Sequence, residues 1–150
     1  MQPPPPHAND DPFDLARFVS AQRDSYEQAL SEIERGQKRT HWMWFVFPQL
    51  RGLGFSSTAQ LYGISGIDEA RAYLVHPVLG TRLIECCQAI LSVRDRTATQ
   101  ILGQPDDLKL CSCATLFASI AGDNSVFQQV LERFFDGKAD SRTLQLLDNA

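Results

Sequence analysis

The stretch "HWMWFVFPQL", residues 41–50, sets His41, Trp42, Met43, Trp44, Phe45, Val46 and Phe47 in consecutive positions and stops at Pro48. How this run is read decides the fold class. Its aromatic and β-branched side chains favour an extended strand. A run that is apolar on every face has no period, however, and so cannot separate a strand from a buried helix. The brackets favour the helix: Thr40 is a good N-cap, and Pro48 cannot continue the turn. A short buried helix is therefore predicted over 41–47. The alternative is a minor extended segment near 43–47, paired with the glycine-rich stretch that follows. Helical residues diverge by about 100° per step, so the side chains cannot all meet one neighbour. Trp42, Phe45 and Val46 are expected in the core. His41, Trp44 and Phe47 or Pro48 are expected to border a cleft.

Outward from this run, the pattern is helical almost everywhere. Leu15, Phe18, Val19, Gln22, Tyr26, Ala29, Leu30 and Ile33 recur at steps of three and four, which predicts one long helix opened by Asp11 or Asp14 and ended by Gly36. Between those positions Arg17, Arg23, Asp24, Glu27 and Glu32 form an expected solvated face. Residues 49–66 are irregular, broken by Gly52, Gly54, Gly63 and Gly66, with one turn capped by Ser56 or Ser57. Helical spacing resumes at Ile67 and continues through segments opened by Thr97, by Pro105 and Asp106, by Ser125 or Asn124, and by Asp140 or Ser141. Strands alternating with helices, as a parallel sheet needs, are absent from the pattern. The fold class is all-α, a single compact helical domain over 13–150. Residues 1–12 hold five of the eight prolines and read as a disordered tail.

Composition narrows the function. At 150 residues and 43% hydrophobic, the chain can bury a core without staples. No apolar stretch reaches the length of a membrane span. The start "MQPPPPHANDDP" has neither a basic end nor an apolar core, so a cytoplasmic location is expected. A formal charge of −4 argues against a nucleic-acid partner held by bulk electrostatics. Cys86 and Cys87 are adjacent, and Cys111 and Cys113 form CxC. Neither spacing is that of a zinc site, so free buried thiols and no metal are expected. Nor does any motif point to a cofactor: there is no P-loop, GxGxxG, HExxH or GxSxG.

Three constellations could carry chemistry. In the first, a Trp44 face could stack on a base or sugar while His41, Gln49 and Arg51 read oxygens. The second is Asp106, Lys109, Ser112 and Cys113, aligned on one helix side by steps of three and four. Lys109 stands near a helix N-terminus, where the dipole disfavours a cation. That points to a phosphate or carboxylate partner, or simply to an Asp106 ion pair. The third, His76, Arg82 and Glu85, reads as a structural junction. With Tyr62 from the irregular stretch, the expected ligand-binding set is His41, Trp44, Gln49, Arg51, Tyr62, Lys109 and Ser112, and the expected partner is a small anionic ligand.

The segments "HWMWFVFPQLRGLGFSSTAQLYGI", "EARAYLVHPVLGTRLIE", "DDLKLCSCATLF" and "FFDGKADSRTLQLL" resemble, in order, the bacterial domain-of-unknown-function family numbered 1810, from about Phe13 to Leu147. Its members are often labelled "calpastatin" by automatic transfer. The resemblance implies a mainly helical fold and assigns no activity. Family members usually carry Ser where Cys111 to Cys113 stand, which marks these thiols as replacements for small hydroxyl residues. Ser57, Gln60 and Tyr62, followed by "EARAYLVHP" and Gly80, are loosely similar to the NADAR, or YbiA-like, family. Those small helical proteins cleave N-glycosidic bonds of phosphoribosyl or ADP-ribosyl substrates. They use an acidic residue and a lysine, whereas "TAQLYGI" offers Gln60 with no nearby Lys, so no catalytic residue carries over. Two functions are thus expected in competition. One is a pocket for a nucleotide- or ribose-like anion, with N-glycoside hydrolysis as its extension. The other is a non-enzymatic protein-interaction module.

Overall fold

The computed structural model describes residues 11–148. Among them lie ten helices: α1 (Ala16–Arg23), α2 (Tyr26–Glu34), α3 (Met43–Val46), α4 (Ser57–Leu61), α5 (Ile67–Val75), α6 (Leu79–Ser92), α7 (Ala98–Leu102), α8 (Asp106–Ala121), α9 (Val126–Phe135) and α10 (Ser141–Asp148). One isolated parallel bridge joins Leu50 to Ile64. The fold is all-α. The tail expected over 1–12 falls outside the described residues up to position 10. Asp11, at its end, belongs to the folded part: its carboxylate accepts the N–H groups of Leu15 at 2.7 Å and Ala16 at 2.9 Å.

The aromatic run is helical, as its brackets predict, but shorter than expected. The extended pairing falls beyond Pro48 and not at 43–47. Pro48 has no N–H to continue α3, so the chain runs on extended. Ile64 N–H then donates to the Gln49 carbonyl at 2.9 Å, and Arg51 N–H to the Ile64 carbonyl at 2.8 Å. Thr40 does not cap α3. Its N–H and hydroxyl both go to the Glu32 carboxylate, at 3.0 and 2.7 Å.

Glu32 corrects the expected solvated face. It is 1% exposed and also accepts from Arg39 N–H at 2.7 Å, the Trp42 indole N–H at 2.9 Å and the Gln28 side chain at 2.8 Å. Burial alone would raise its pKa. The backbone N–H groups of Arg39 and Thr40 outweigh that, with help from the Gln28 and Thr40 side chains, and hold it far below the ordinary carboxylate range.

The long first helix is two. Ser25 Oγ donates back to the Ala21 carbonyl at 2.7 Å, the local competition for backbone that Asp and Ser bring to a helix interior. The break turns Tyr26 toward α6, where Arg82 stacks 4.6 Å over its ring and Glu85 accepts its hydroxyl. Elsewhere the caps stand where predicted. Ser56 and Ser125 each accept an N–H from three residues on. Thr97 and Gln100 form a reciprocal capping box. Gly36, at φ +74°, closes α2, with Gln37 N–H reaching the Glu32 carbonyl at 3.0 Å.

Helix α8 is the hub, packed against α5, α7, α9 and α10. A chain of ring contacts crosses the core from Phe18 to Tyr73 (5.1 Å), Tyr73 to Phe117 (5.6 Å) and Phe117 to Phe127 (5.4 Å). It links α1, α5, α8 and α9. Buried Gln22 ties α1 to α3 by donating to the Phe45 carbonyl at 2.6 Å. Gly80 lets α6 start tight against α5, since a Cβ there would lie 1.9 Å from the Leu74 carbonyl oxygen.

Candidate functional site

Four of the seven expected binding residues meet in one cleft of about 250 Å³: Trp44, Gln49, Lys109 and Ser112, with Leu53, Gly54, Pro105, Leu108, Asp140 and Arg142 completing its walls. Each wall has a local cause. Helix α3 splits its side chains as anticipated for the tryptophans: Trp42 is buried and Trp44 half-buried. Phe47 or Pro48 was expected on the cleft side, but both are buried, Phe47 in the core. The extended backbone after Pro48 alternates its side chains. Leu50 enters the core, and Gln49 lines the cleft at 8% exposure. Among the described residues no hydrogen-bond partner holds the Gln49 side-chain amide, which keeps both its donors and its acceptor for the cleft.

On α8, Lys109 and Ser112 stand one turn apart on the cleft face, while Cys113 turns into the core at 1% exposure and leaves the constellation expected for it. Lys109 Nζ lies 3.1 Å from Asp106 and 3.8 Å above the Trp44 ring, a cation–π contact that covers one face of the indole. Base stacking on that face would require Lys109 to leave. Asp106 also takes Lys38 at 3.0 Å, so a single carboxylate faces two ammonium groups.

The third wall comes from the start of α10. Asp140 caps it, accepting Thr143 N–H at 3.1 Å, the Thr143 hydroxyl, and the Ser112 hydroxyl at 3.1 Å. Asp140 N–H donates to Thr115 Oγ1 at 2.8 Å. These bonds lock α10 onto α8 and bring exposed Arg142 to the cleft. Among the described residues Arg142 has no ion-pair or side-chain hydrogen-bond partner. Sequence reasoning missed it: Asp140 was legible as a cap, but nothing near Arg142 signals which helix it will face.

The remaining three expected residues do not line this cleft. His41 is exposed and borders a smaller hollow of about 90 Å³ that shares Trp44 and Lys109 as walls. Arg51 donates to the Gly63 carbonyl at 3.1 Å, bracing the loop. Tyr62 is half-buried between Phe18 and Phe45, 5.8 and 5.4 Å away. The third constellation is structural, for His76 Nδ1 accepts Val78 and Leu79 N–H at the start of α6. A larger hollow of about 440 Å³ lies between α1 and α5. Of its polar groups, His76 is engaged with those N–H groups and Asp11 with α1, while Ser20 and Arg23 also line it.

All four cysteines are free, with Cys86, Cys87 and Cys113 buried. Burial pushes the Cys86 thiol up to about 12, and burial reinforced by Asp140 pushes Cys111 up to about 11. Among the described residues no three His, Cys, Asp or Glu side chains converge as a metal site would need, and no single helix is long and apolar enough to cross a membrane.

A family model described as "Protein of unknown function (DUF1810)" matches residues 12–147. Among solved structures, the conserved hypothetical protein Rv1873 from Mycobacterium tuberculosis is 52% identical over 92% of this chain and 99% of its own, with a TM-score of 0.90. No curated protein matches.

Proposed function

The chain belongs to the DUF1810 family of proteins of unknown function, and since that membership carries a fold and no activity, we propose a function from the cleft itself: it binds a small, singly charged anion. The observation that carries this is Gln49, whose side-chain amide has no protein partner among the described residues and borders the cleft beside Lys109 and Arg142. A ligand can engage its donors and its acceptor together. Charge supports a monoanion. The charged residues lining the cleft are Lys109, Arg142 and Asp140, two cations against one carboxylate, which leaves one positive charge.

Size supports the same reading. At about 250 Å³, the cleft falls just below the roughly 300–1,000 Å³ of sites that enclose drug-sized ligands. A nucleotide or ADP-ribosyl group would overfill it. Binding is favoured over N-glycoside hydrolysis, because both carboxylates are committed: Asp106 to two ammonium groups, Asp140 to its helix cap. Neither is poised as a general base.

A thermal-shift series with acetate, propionate, inorganic phosphate and ADP-ribose tests the proposal. The monocarboxylates should raise Tm, by the equivalent of about 2.7 kcal/mol at a hundredfold excess over Kd. ADP-ribose should do no better than phosphate. Gln49→Leu removes the amide without leaving a cavity, so it should hold Tm and abolish the shift. A carboxylate response unchanged in Gln49→Leu, or no response to any anion, would refute the site.

A further inference from the structure

We infer that the junction between α6 and α7 binds the phosphate group of a small soluble phosphomonoester. This site shares no residue with the Trp44 cleft and does not depend on it. Two hollows with common walls lie there, of about 320 and 390 Å³. Asp95 and Arg133 line both. Arg96, Thr97 and Phe134 complete the first, and Leu91 and Arg94 the second. The connector between the two helices thus supplies Arg94 and Arg96, and α9 brings Arg133 against it.

Three observations point to a phosphate. The first is charge. The lining residues set three arginines against one carboxylate, which leaves two positive charges. Among the described residues Asp95 forms no ion pair, and neither do Arg94, Arg96 and Arg133. A phosphomonoester carries about −1.5 to −2 at neutral pH, whereas a carboxylate brings a single charge.

The second is that two of the guanidinium groups are already held. Arg133 donates to the Val93 carbonyl at 2.6 Å and lies 5.4 Å from the centre of the Phe134 ring. Arg96 donates to the Gln100 carbonyl at 3.0 Å. Its stem packs by Gly36 at the end of α2, where a Cβ would lie 3.2 Å from Arg96 Cδ. A free surface arginine loses side-chain entropy when it closes on an anion, and these two have lost part of it on folding. Each carbonyl takes one N–H of a guanidinium that has several, so donors remain for a ligand.

The third is the number of forks. Three guanidinium groups equal in number the three acceptor oxygens of a phosphomonoester. Half-buried Phe134 and Leu91 stand beside them for its organic part. A phosphodiester, as in a nucleic-acid backbone, has two free oxygens and one charge, and a chain of formal charge −4 repels a polyanion. A lipid phosphate is disfavoured as well, because none of the exposed large hydrophobic side chains lines either hollow to enter a membrane.

Isothermal titration calorimetry at low salt and neutral pH tests this with methyl phosphate and dimethyl phosphate, on the intact protein and on Gln49→Leu. Methyl phosphate should bind both proteins equally. In Gln49→Leu the diester should bind at least tenfold more weakly. Arg94 makes no hydrogen bond or ion pair among the described residues, so Arg94→Gln should leave the Tm of the free protein and the propionate shift intact. It should weaken methyl phosphate at least threefold, and with Arg96→Gln added at least tenfold. Asp95 has a left-handed φ of +63°, which Asn also tolerates, so Asp95→Asn should keep the fold and tighten methyl phosphate at least twofold. No binding at millimolar methyl phosphate, diester binding as tight in Gln49→Leu, or an affinity indifferent to Arg94→Gln would overturn the inference. Loss of methyl phosphate binding in Gln49→Leu would place the phosphate in the Trp44 cleft and overturn it too. Vesicles of phosphatidylcholine and phosphatidic acid should not sediment the protein; sedimentation lost in Arg94→Gln would refute the soluble ligand.

Discussion

Replacing Glu32 by Gln should destabilise the protein by about 1.5–3 kcal/mol at neutral pH, with no change of volume. One carboxylate oxygen accepts Arg39 N–H, Thr40 N–H and the Trp42 indole N–H; the other accepts the Thr40 hydroxyl and the Gln28 amide. The amide in Glu32→Gln can keep its oxygen on the first three donors. Its new NH₂ then meets Thr40, whose hydroxyl can reverse, and Gln28, whose exposed amide can flip. No buried donor is stranded, so the loss is the charge assistance on three bonds, about 0.5–1 kcal/mol each. For a chain of this size that is a fall in Tm of about 5–10 °C. The pH dependence gives an independent check. Because the folded-state pKa is depressed below the ordinary 4.5, the carboxylate's contribution is fully present above that value. It is lost as pH falls through the folded-state pKa. Denaturant unfolding from pH 7 downward should therefore show the two proteins apart above pH 5 and converging in acid. A difference under 0.5 kcal/mol at pH 7, or a gap that persists undiminished at pH 2–3, would refute this account of Glu32.

Trp42→Ala should cost about 3–5 kcal/mol, as core aromatic truncations do, while half-buried Trp44→Ala should cost about 1–2 kcal/mol, including its contact with Lys109, and abolish anion binding; urea titration with the propionate thermal shift separates the two. Gly80→Ala should cost at least about 3 kcal/mol, because the new Cβ falls 1.9 Å from the Leu74 carbonyl oxygen, whereas Gly66→Ala, with nothing within 4 Å, should be near neutral. With a disulfide reagent at pH 8 the native protein should react slowly at Cys111 alone, the partly exposed thiol whose pKa sits near 11, speed up as pH rises toward that value, and expose all four thiols only on unfolding; loss of the slow phase in Cys111→Ser identifies it.

The parts of this fold that could be read from the chain are those set within a few residues. Thr97 with Gln100, Ser125 and Gly36 do their work within a turn, and their residue types carry the mechanism on their face. The same holds for the apolar steps of α6 and α9. The long first helix failed because Asp24 and Ser25 look, at helical spacing, like any solvated pair, and only the geometry at Ser25 shows the carbonyl it takes. Glu32 failed more instructively. Its backbone partners, Arg39 and Thr40, are only seven and eight residues away, yet they sit on the connector Gln37–Lys38–Arg39–Thr40, whose path no periodicity encodes. Arg51 and Tyr62 were misplaced for the same reason, since the glycine-rich stretch has no period from which to tell which way a side chain faces. Trp44, Gln49, Lys109 and Ser112 were placed better because Pro48 and the helical step of α8 constrain their surroundings locally.

The cleft depends on carboxylates that it does not offer to a ligand. Glu32 draws Thr40 and the Trp42 indole together, which sets the position of α3 and so of Trp44. Asp140 joins α10 to α8 through Ser112 and Thr115, which brings Arg142 to the rim. Asp106 holds Lys38 and Lys109 side by side, near Trp42 and Trp44 respectively. Each acidic group is consumed in positioning, and each leaves a donor or a cation facing inward. That division explains why a chain of net charge −4 can present a locally positive site. On the proposed reading, the site would select its anion by charge and hydrogen-bond shape.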